Sequence, residues 1–395
     1  MNWLSLAAWS AALFLSSALF SHNVALRLVL LALAAVVVAA GIARERQSLQ
    51  VPPPIWLPLL LWAAWCALSL LWSLEPKLSE KEFHNEIVYT SLAFFVCYIG
   101  AQAKNAARVM LPVIAMAAVA VCAAAIYSFG AGQELSGVGW HGGPGDHSSA
   151  LIALMPCVIA ALWYARRNGA PASVRIGGLL LVGLFLVSAY TTQNRTIWVG
   201  FALELLVIGG LLLFRRPTAV RAGLAAAAAL AVAAVAGGIM LQVQSERAAG
   251  VSAGSFRQDP RFAIWPKVVE NIERRPLTGY GFGRGILGQS LPLESRVPVA
   301  WHAHNFFLDI GLQVGLPGLA LLLFLLGATL RQGLRSAMDR SDAAAACGVA
   351  LVAVVIGMVT RNMTDTLLVR QNALFYWGLV GVLLAWGAKY RAQPT

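Results

Sequence analysis

The chain has 395 residues, 59% of them hydrophobic and only 12% charged, with a formal net charge of +12. A soluble domain carries roughly 25% charged residues, so this composition excludes an ordinary soluble protein and makes lipid the natural solvent. The basic surplus does not point to nucleic acid, because the arginines are scattered between apolar runs, as topology-setting loop residues are.

Twelve stretches are long and apolar enough to cross a bilayer, or nearly so, at about 20 residues per crossing. They lie near 3–20, 24–42, 55–73, 87–103, 108–128, 149–165, 176–191, 196–214, 222–243, 304–330, 344–362 and 373–389. The first lacks a basic leader and a small-x-small cleavage site, so it reads as a retained helix. Cys66, Cys97, Cys122, Cys157 and Cys347 all fall in or at the end of apolar runs, which argues against disulfides and a zinc cage. The expected fold is all-α: a single membrane domain over 1–395 with about twelve transmembrane helices.

Basic residues set the orientation. Alternate short loops carry Arg44 and Arg46, then Lys104, then Arg166, Arg167 and Arg175, then Arg215, Arg216 and Arg221, then Arg331, Arg335 and Arg340, with Lys389 and Arg391 in the tail. Both termini are therefore expected in the cytoplasm. This places His22, His84, His141, His147, His302 and His304 on the outer side, with most of the acids, including Glu75, Glu80, Glu82 and Glu86. Chemistry is expected there too. One outer loop, 244–303, is much longer than the others, and loops of that length are usually functional or disordered. It holds Trp265, Tyr280, Phe282 and Trp301 and is not of low complexity.

Four segments could carry chemistry. Thr191-Thr192-Gln193-Asn194-Arg195-Thr196 is a short outer turn in which Arg195 opens the next span. A charge at the membrane boundary is costly unless paired; the bland alternative is snorkelling to the headgroups. In the long loop, Asp259-Pro260 is a good cap and first helical position, and Phe262, Trp265, Val268 or Val269, and Ile272 recur at helical spacing. The pattern predicts an amphipathic helix from Pro260 to Arg274, stopped by Pro276. Arg261 would sit in its first turn, a good place to hold phosphate, or simply to pair with lipid headgroups.

Trp301-His302-Ala303-His304-Asn305 leads into the tenth span. Gly311 and Gly315 allow close helix approach, Pro317 and Gly318 would kink or break the helix, and Asp309 and Gln313 should face the interior. A histidine at such a mouth can act as a base near neutral pH, although boundary histidines are often only interfacial. His302 and His304, with Asp146 and His147, could supply metal ligands, but no Asp-x-Asp pair or His/carboxylate cluster stands at a metal spacing, so no metal is expected. The last outer loop, 361–372, holds Arg361, Asp365 and Arg370. Asp365 could orient His304 or balance an arginine; otherwise this is a solvated loop with local ion pairs.

His304-Asn305, nine residues, then Gly315-Leu316-Pro317-Gly318 resembles the signature of bacterial O-antigen ligases: His, then Asn, Ser or Gln, nine of anything, Gly, two of anything, then Gly, Thr or Tyr. Arg195 looks like that family's first essential arginine and Arg261 its second, and Pro276-Leu277-Thr278-Gly279-Tyr280-Gly281-Phe282-Gly283 resembles its loop. The resemblance covers roughly Thr191 to Gly318 by motif and the whole chain by topology. It implies a C-type membrane glycosyltransferase of the bacterial inner membrane with a periplasmic site. The donor would be a glycan on undecaprenyl pyrophosphate and the acceptor the lipid A–core of lipopolysaccharide, with no cofactor or metal and a single inverting displacement. His304 would be the general base, Arg195 and Arg261 would hold the pyrophosphate, and Asn305 and Asp365 would support them.

Related O-antigen polymerases and protein O-oligosaccharyltransferases are the near alternatives. Polymerase sequences match the pattern more loosely, and the protein-modifying enzymes usually carry extra soluble sequence near the C-terminus, whereas this sequence stops at Thr395 soon after its last span. Both points favour the ligase. A transporter for a lipid-linked anion would also want arginines and broken helices, but its binding site would lie near the midplane, whereas the polar residues here cluster outside.

Overall fold

The computed structural model describes residues 2–45, 54–133, 143–215, 236–238, 240, 260–286, 288 and 302–391. Among these there is no strand; the chain is an all-α, multi-pass membrane protein. Its helices are α1 (Trp3–Ala18), α2 (Val24–Glu45), α3 (Trp56–Leu68), α4 (Pro76–Phe83), α5 (Tyr89–Gly100), α6 (Ala106–Gly130), α7 (Pro144–Arg167), α8 (Ala172–Thr191), α9 (Arg195–Phe214), α10 (Pro260–Arg274), α11 (Phe306–Ala337), α12 (Asp342–Asn362) and α13 (Arg370–Arg391). Eight of them, α2, α6 to α9 and α11 to α13, are long and apolar enough to cross a membrane. Helices are the natural solution in lipid, because each satisfies its own backbone groups.

Eleven of the twelve expected spans coincide with a helix; most of the twelfth, 222–243, lies outside the described residues. So do Asp259, His141, Trp301 and much of the 244–303 loop. The third span tightens into a 3₁₀ turn at Ser69–Trp72. The acid-rich connection before the fourth span is itself helical: α4 runs through a π-helical turn at His84–Val88 straight into α5.

α12 is the central post. It packs against α11, α7, α9 and α13, and α13 packs in turn along α5. Most of the α12 and α13 side chains are buried. Small residues permit this closeness: a Cβ on Gly348 would lie 2.1 Å from Ala337 N, and one on Gly381 would lie 2.6 Å from Phe94 O.

α11 is two helices. Gly315 takes φ 70 and ψ 178 between them, so the break falls two residues before Pro317, which sits in the first turn of the second half. A helix end inside the protein leaves carbonyls to satisfy. Tyr280 N donates to Leu312 O and Gln313 O at 3.0 and 3.1 Å, and Gly281 N donates to Gln313 O at 2.8 Å. The Trp65 indole donates to Val314 O at 2.9 Å, and Leu316 N returns a bond to Pro276 O at 2.7 Å. The glycine-rich stretch after α10 is thus the cap of a broken helix. Gly279 has φ 62, and a Cβ there would meet Gln313 O at 2.5 Å, so no other residue allows so close an approach.

α10 has the predicted bounds. Its buried face is Ile264 and Val268, packed with Tyr280, Ile286, Ala303 and Leu312 and flanked by Ile272; Val269 is exposed. That face lies on the first half of α11.

The bundle has two chemically different ends. The basic loop residues Arg167 and Arg215 gather with Asp342 at one, and Lys389 joins the turn between α5 and α6 there. The described histidines, His22, His84, His147, His302 and His304, are at the other.

Candidate functional site at the His304 end

The site begins with a helix cap. Asn305 is extended and its side-chain oxygen accepts from Phe307 N and Leu308 N at 3.0 and 3.1 Å, as a good N-cap does. Its amide nitrogen donates to Met363 O at 3.0 Å, and Phe306 N donates to Asp365 O at 3.1 Å. The start of α11 and the turn after α12 are therefore one unit. Asp309, buried one turn into α11, reinforces it: its carboxylate accepts from Ala303 N at 2.7 Å and from the Thr366 hydroxyl. Asn362 accepts from Leu367 N and Leu368 N, both at 2.9 Å. The last outer loop is accordingly shorter than the sequence suggests. Arg361 belongs to α12, Arg370 opens α13, and only 363–369 connect them.

This frame puts Asp365 between two histidines. Its Oδ1 lies 3.4 Å from His304 Nδ1 and 3.6 Å from His302 Nε2, and Oδ2 lies 3.7 Å from Arg361. The two imidazoles have centroids 3.9 Å apart. Burial alone would raise the Asp365 pKa. The bonds from His302 and His304, the Arg361 charge and the Thr366 N–H outweigh it and hold the carboxyl well below its ordinary range. Arg361 is itself fully buried and donates to Ser148 Oγ at 3.2 Å. His304 takes φ 49, a left-handed conformation that is strained for a residue with a Cβ.

The histidines open on a cleft of about 290 Å³ lined by Asp146, Arg284, His302, His304, Asp365 and Arg370. Arg370, also left-handed at φ 52, donates its backbone N–H to both Glu86 oxygens at 2.8 and 2.9 Å. Burial raises the Glu86 carboxyl to about 8, with the Arg370 N–H acting in the opposite direction. Burial, and then the charge of Arg370, push the Arg284 guanidinium down from its ordinary value. Asp146 accepts from Asn372 and Gln371 at 2.8 and 3.0 Å. Arg284 also lines an adjoining, more apolar cavity with Trp62, Glu86, Phe282, Phe306 and Trp377.

Of the residues singled out from sequence, His304, Asn305 and Asp365 stand together. Arg261, half-buried in the first turn of α10, is close enough to Arg361 for their charges to repel. One turn on, the Trp265 indole donates to Ala303 O at 2.9 Å, tying α10 to the residue before His304. Arg195 is the first residue of α9, capped by Asn194, whose side chain accepts from Thr196 N at 3.1 Å. It is at the same end of the bundle but does not line the cleft. Arg284 was missed. Its only sequence signal is that it follows Gly283 in the glycine-rich stretch. The expectation of no ligand set needs correction too: one donor atom each from His302, His304 and Asp365 lies within 4.8 Å of the others. Sequence spacing hides this because Asp365 arrives from another loop.

As chemistry, the arrangement sets Nδ1 of one imidazole against a carboxylate, and an imidazole held in this way can use its other nitrogen for proton transfer; several guanidinium groups suited to phosphate stand beside it.

Residues 180–323 match the family model described as O-Antigen ligase. The match contains Arg195, Arg261, His304 and Asn305, and ends before Asp365. No curated protein matches the chain.

Proposed function

From the O-antigen ligase family domain that residues 180–323 carry, we propose that this chain is a glycosyltransferase moving O-antigen glycan from undecaprenyl pyrophosphate to lipid A–core. It would work in the bacterial inner membrane, with both termini cytoplasmic and the His304 end periplasmic. The coarser role, a membrane protein of the O-antigen ligase and polymerase type acting on lipid-linked glycans, is what the match over residues 180–323 supports.

The observation that carries the reading is the Asp365–His304 pair at the mouth of an arginine-lined cleft. With its proton on Nδ1 facing Asp365, His304 presents an unprotonated Nε2. That nitrogen takes the proton of the acceptor hydroxyl as its oxygen bonds to the anomeric carbon. The carbon–oxygen bond to the pyrophosphate breaks, and its electron pair leaves on the phosphate oxygen. Arg195 and Arg261 hold that growing charge, since guanidinium stays ionised and grips phosphate as a fork; fixed donors of this kind are often the largest catalytic contribution. They do the work a divalent metal does elsewhere, so transfer needs none. Asn305 and Asp365 set the position and tautomer of the base.

The test is transfer in detergent by purified protein, with lipid-pyrophosphate glycan, lipid A–core and EDTA. Ligated product is expected, and His304→Ala should lower the rate by about 10²–10⁴-fold while eluting and melting like the parent. Product with His304→Ala at the parental rate would remove the base. Elongated donor instead of ligated core would make the chain a polymerase, and no transfer by intact protein would favour a transporter.

A further inference from the structure

We propose that His302, His304 and Asp365 form a binding site for a zinc-class divalent cation, and that occupancy switches the enzyme off. The inhibitory part rests on the reading of His304 as the base; the binding part does not.

Tetrahedral zinc bonds to imidazole nitrogen and carboxylate oxygen at about 2.0–2.2 Å, which sets neighbouring ligand atoms about 3.3–3.6 Å apart. Asp365 Oδ1 stands 3.4 Å from His304 Nδ1 and 3.6 Å from His302 Nε2, and the three donors fall within 4.8 Å of one another. All three side chains line the cleft, which gives an ion a way in. The ligands are braced from behind: Thr366 N donates to Asp365 Oδ1 at 2.9 Å, Arg361 flanks Oδ2, and Asp309 holds Ala303 between the two histidines. Such outer partners usually tune a metal site.

The surroundings decide which ion and how tightly. Arg284, Arg361 and Arg370 face this region, with Asp146 and Glu86 in partial balance. Positive charge this dense disfavours a hard cation held by charge alone. Two imidazoles and one carboxylate suit zinc, copper or nickel rather than magnesium or calcium. The surrounding positive charge weakens the hold on any cation, so occupancy is expected to be reversible.

The consequence for catalysis is specific. A cation on His304 Nδ1 displaces the proton shared with Asp365. Neutral imidazole then carries its proton on Nε2, the atom that must accept one from the acceptor hydroxyl. The bound ion therefore leaves the histidine in the tautomer that cannot act.

The experiment titrates Zn²⁺ into protein purified without a histidine tag, by calorimetry in detergent, with neither donor nor acceptor present. One saturable ion per chain is expected. His302→Ala and Asp365→Asn should weaken it by about tenfold or more, His84→Ala should not, and Mg²⁺ should give no binding. No saturable Zn²⁺, or a His302→Ala chain that binds like the parent, overturns the site. In the transfer assay Zn²⁺ should stop product formation and EDTA restore it. Binding with undiminished transfer would overturn the inhibitory role. Because binding is read without turnover, a chain that fails as a ligase leaves the metal result standing on its own.

Discussion

The two ends of this bundle carry similar charges and use them differently. At the Asp342 end, Arg215 donates to Ala337 O and Asp339 O, at and just beyond the end of α11, and lies 3.5 Å from Asp342. Lys389 donates to Ala103 O at 2.8 Å, just past the end of α5, and Arg167 meets Asp342 at 2.8 Å. Cations at helix C-termini satisfy leftover carbonyls and oppose the helix dipole; their purpose is to close ends. At the His304 end, the cations and carboxylates surround a cleft instead. The non-glycine residues with left-handed backbone among those described, His22, Gln193, His304 and Arg370, are all at that end. Backbone strain concentrates where geometry serves something other than stability, so the same residue types read as structure at one end and as a site at the other.

The largest break in that comparison should come from arginine substitutions that keep the charge. Arg195→Lys and Arg261→Lys remove the planar fork but not the cation. Each is expected to lower transfer by about 10²–10³-fold, the loss typical of a fixed donor on developing charge, whereas Arg215→Lys at the other end should leave the rate unchanged. Parental rates in Arg195→Lys would place that residue outside the phosphate site, in line with its absence from the cleft lining.

Next comes the break in α11. A Cβ on Gly315 would lie 2.6 Å from Leu277 C and O, on a backbone at φ 70. Strain and overpacking together are expected to cost about 2–5 kcal/mol, seen as a lower melting midpoint in detergent. Gly183→Ala, in open space on α8, should instead gain up to about 1 kcal/mol from helix propensity. Equal effects would mean that the capped break carries no structural weight.

Asp365→Asn sharpens the contrast through pH. Its carboxyl is held below the ordinary range, so its contribution is present above about pH 4, the unfolded value, and disappears as pH falls through the lower folded value. The variant leaves the buried Arg361 without its carboxylate partner. At pH 7 it should melt lower by the equivalent of about 1–3 kcal/mol, at or below the low end for a broken buried pair because Asp365 keeps some water access. The gap should narrow in acid, as the carboxyl takes up its proton. A gap unchanged on acidification would mean the carboxyl is not held ionised at pH 7.

The helices were legible because each apolar run is local, and α10 was legible to the residue because its start at Pro260, its apolar spacing and the stop at Pro276 are all local signals. His304 and Asn305 stood out as polar residues at the mouth of a span. What was hidden is pairing across the chain. Glu86 receives Arg370 from 284 positions away, and Asp365 meets both histidines only because Asn305 and Asp309 bind the 363–366 turn. No periodicity records such contacts. The break at Gly315, not at Pro317, also depends on a partner: Pro276 and Tyr280 supply the bonds that make it affordable.

The smallest effect tests whether the two ends are independent. Arg167→Ala removes an ion pair whose side chains are 39% and 23% exposed. Exposed pairs are worth about 0–1 kcal/mol and weaken with salt, and Asp342 keeps Arg215. Melting should fall by at most that amount, and by less in high salt, with transfer unchanged. The connection between the ends is α12 itself, which carries Asp342 at one terminus and Arg361 at the other. If Arg167→Ala slowed transfer while melting normally, α12 would have to shift as a rigid piece and move Arg361 against Asp365. Packed on α7, α9, α11 and α13 along its buried length, α12 has little room to do so. Independence is therefore the expected result, and the charges at the Asp342 end belong to the fold alone.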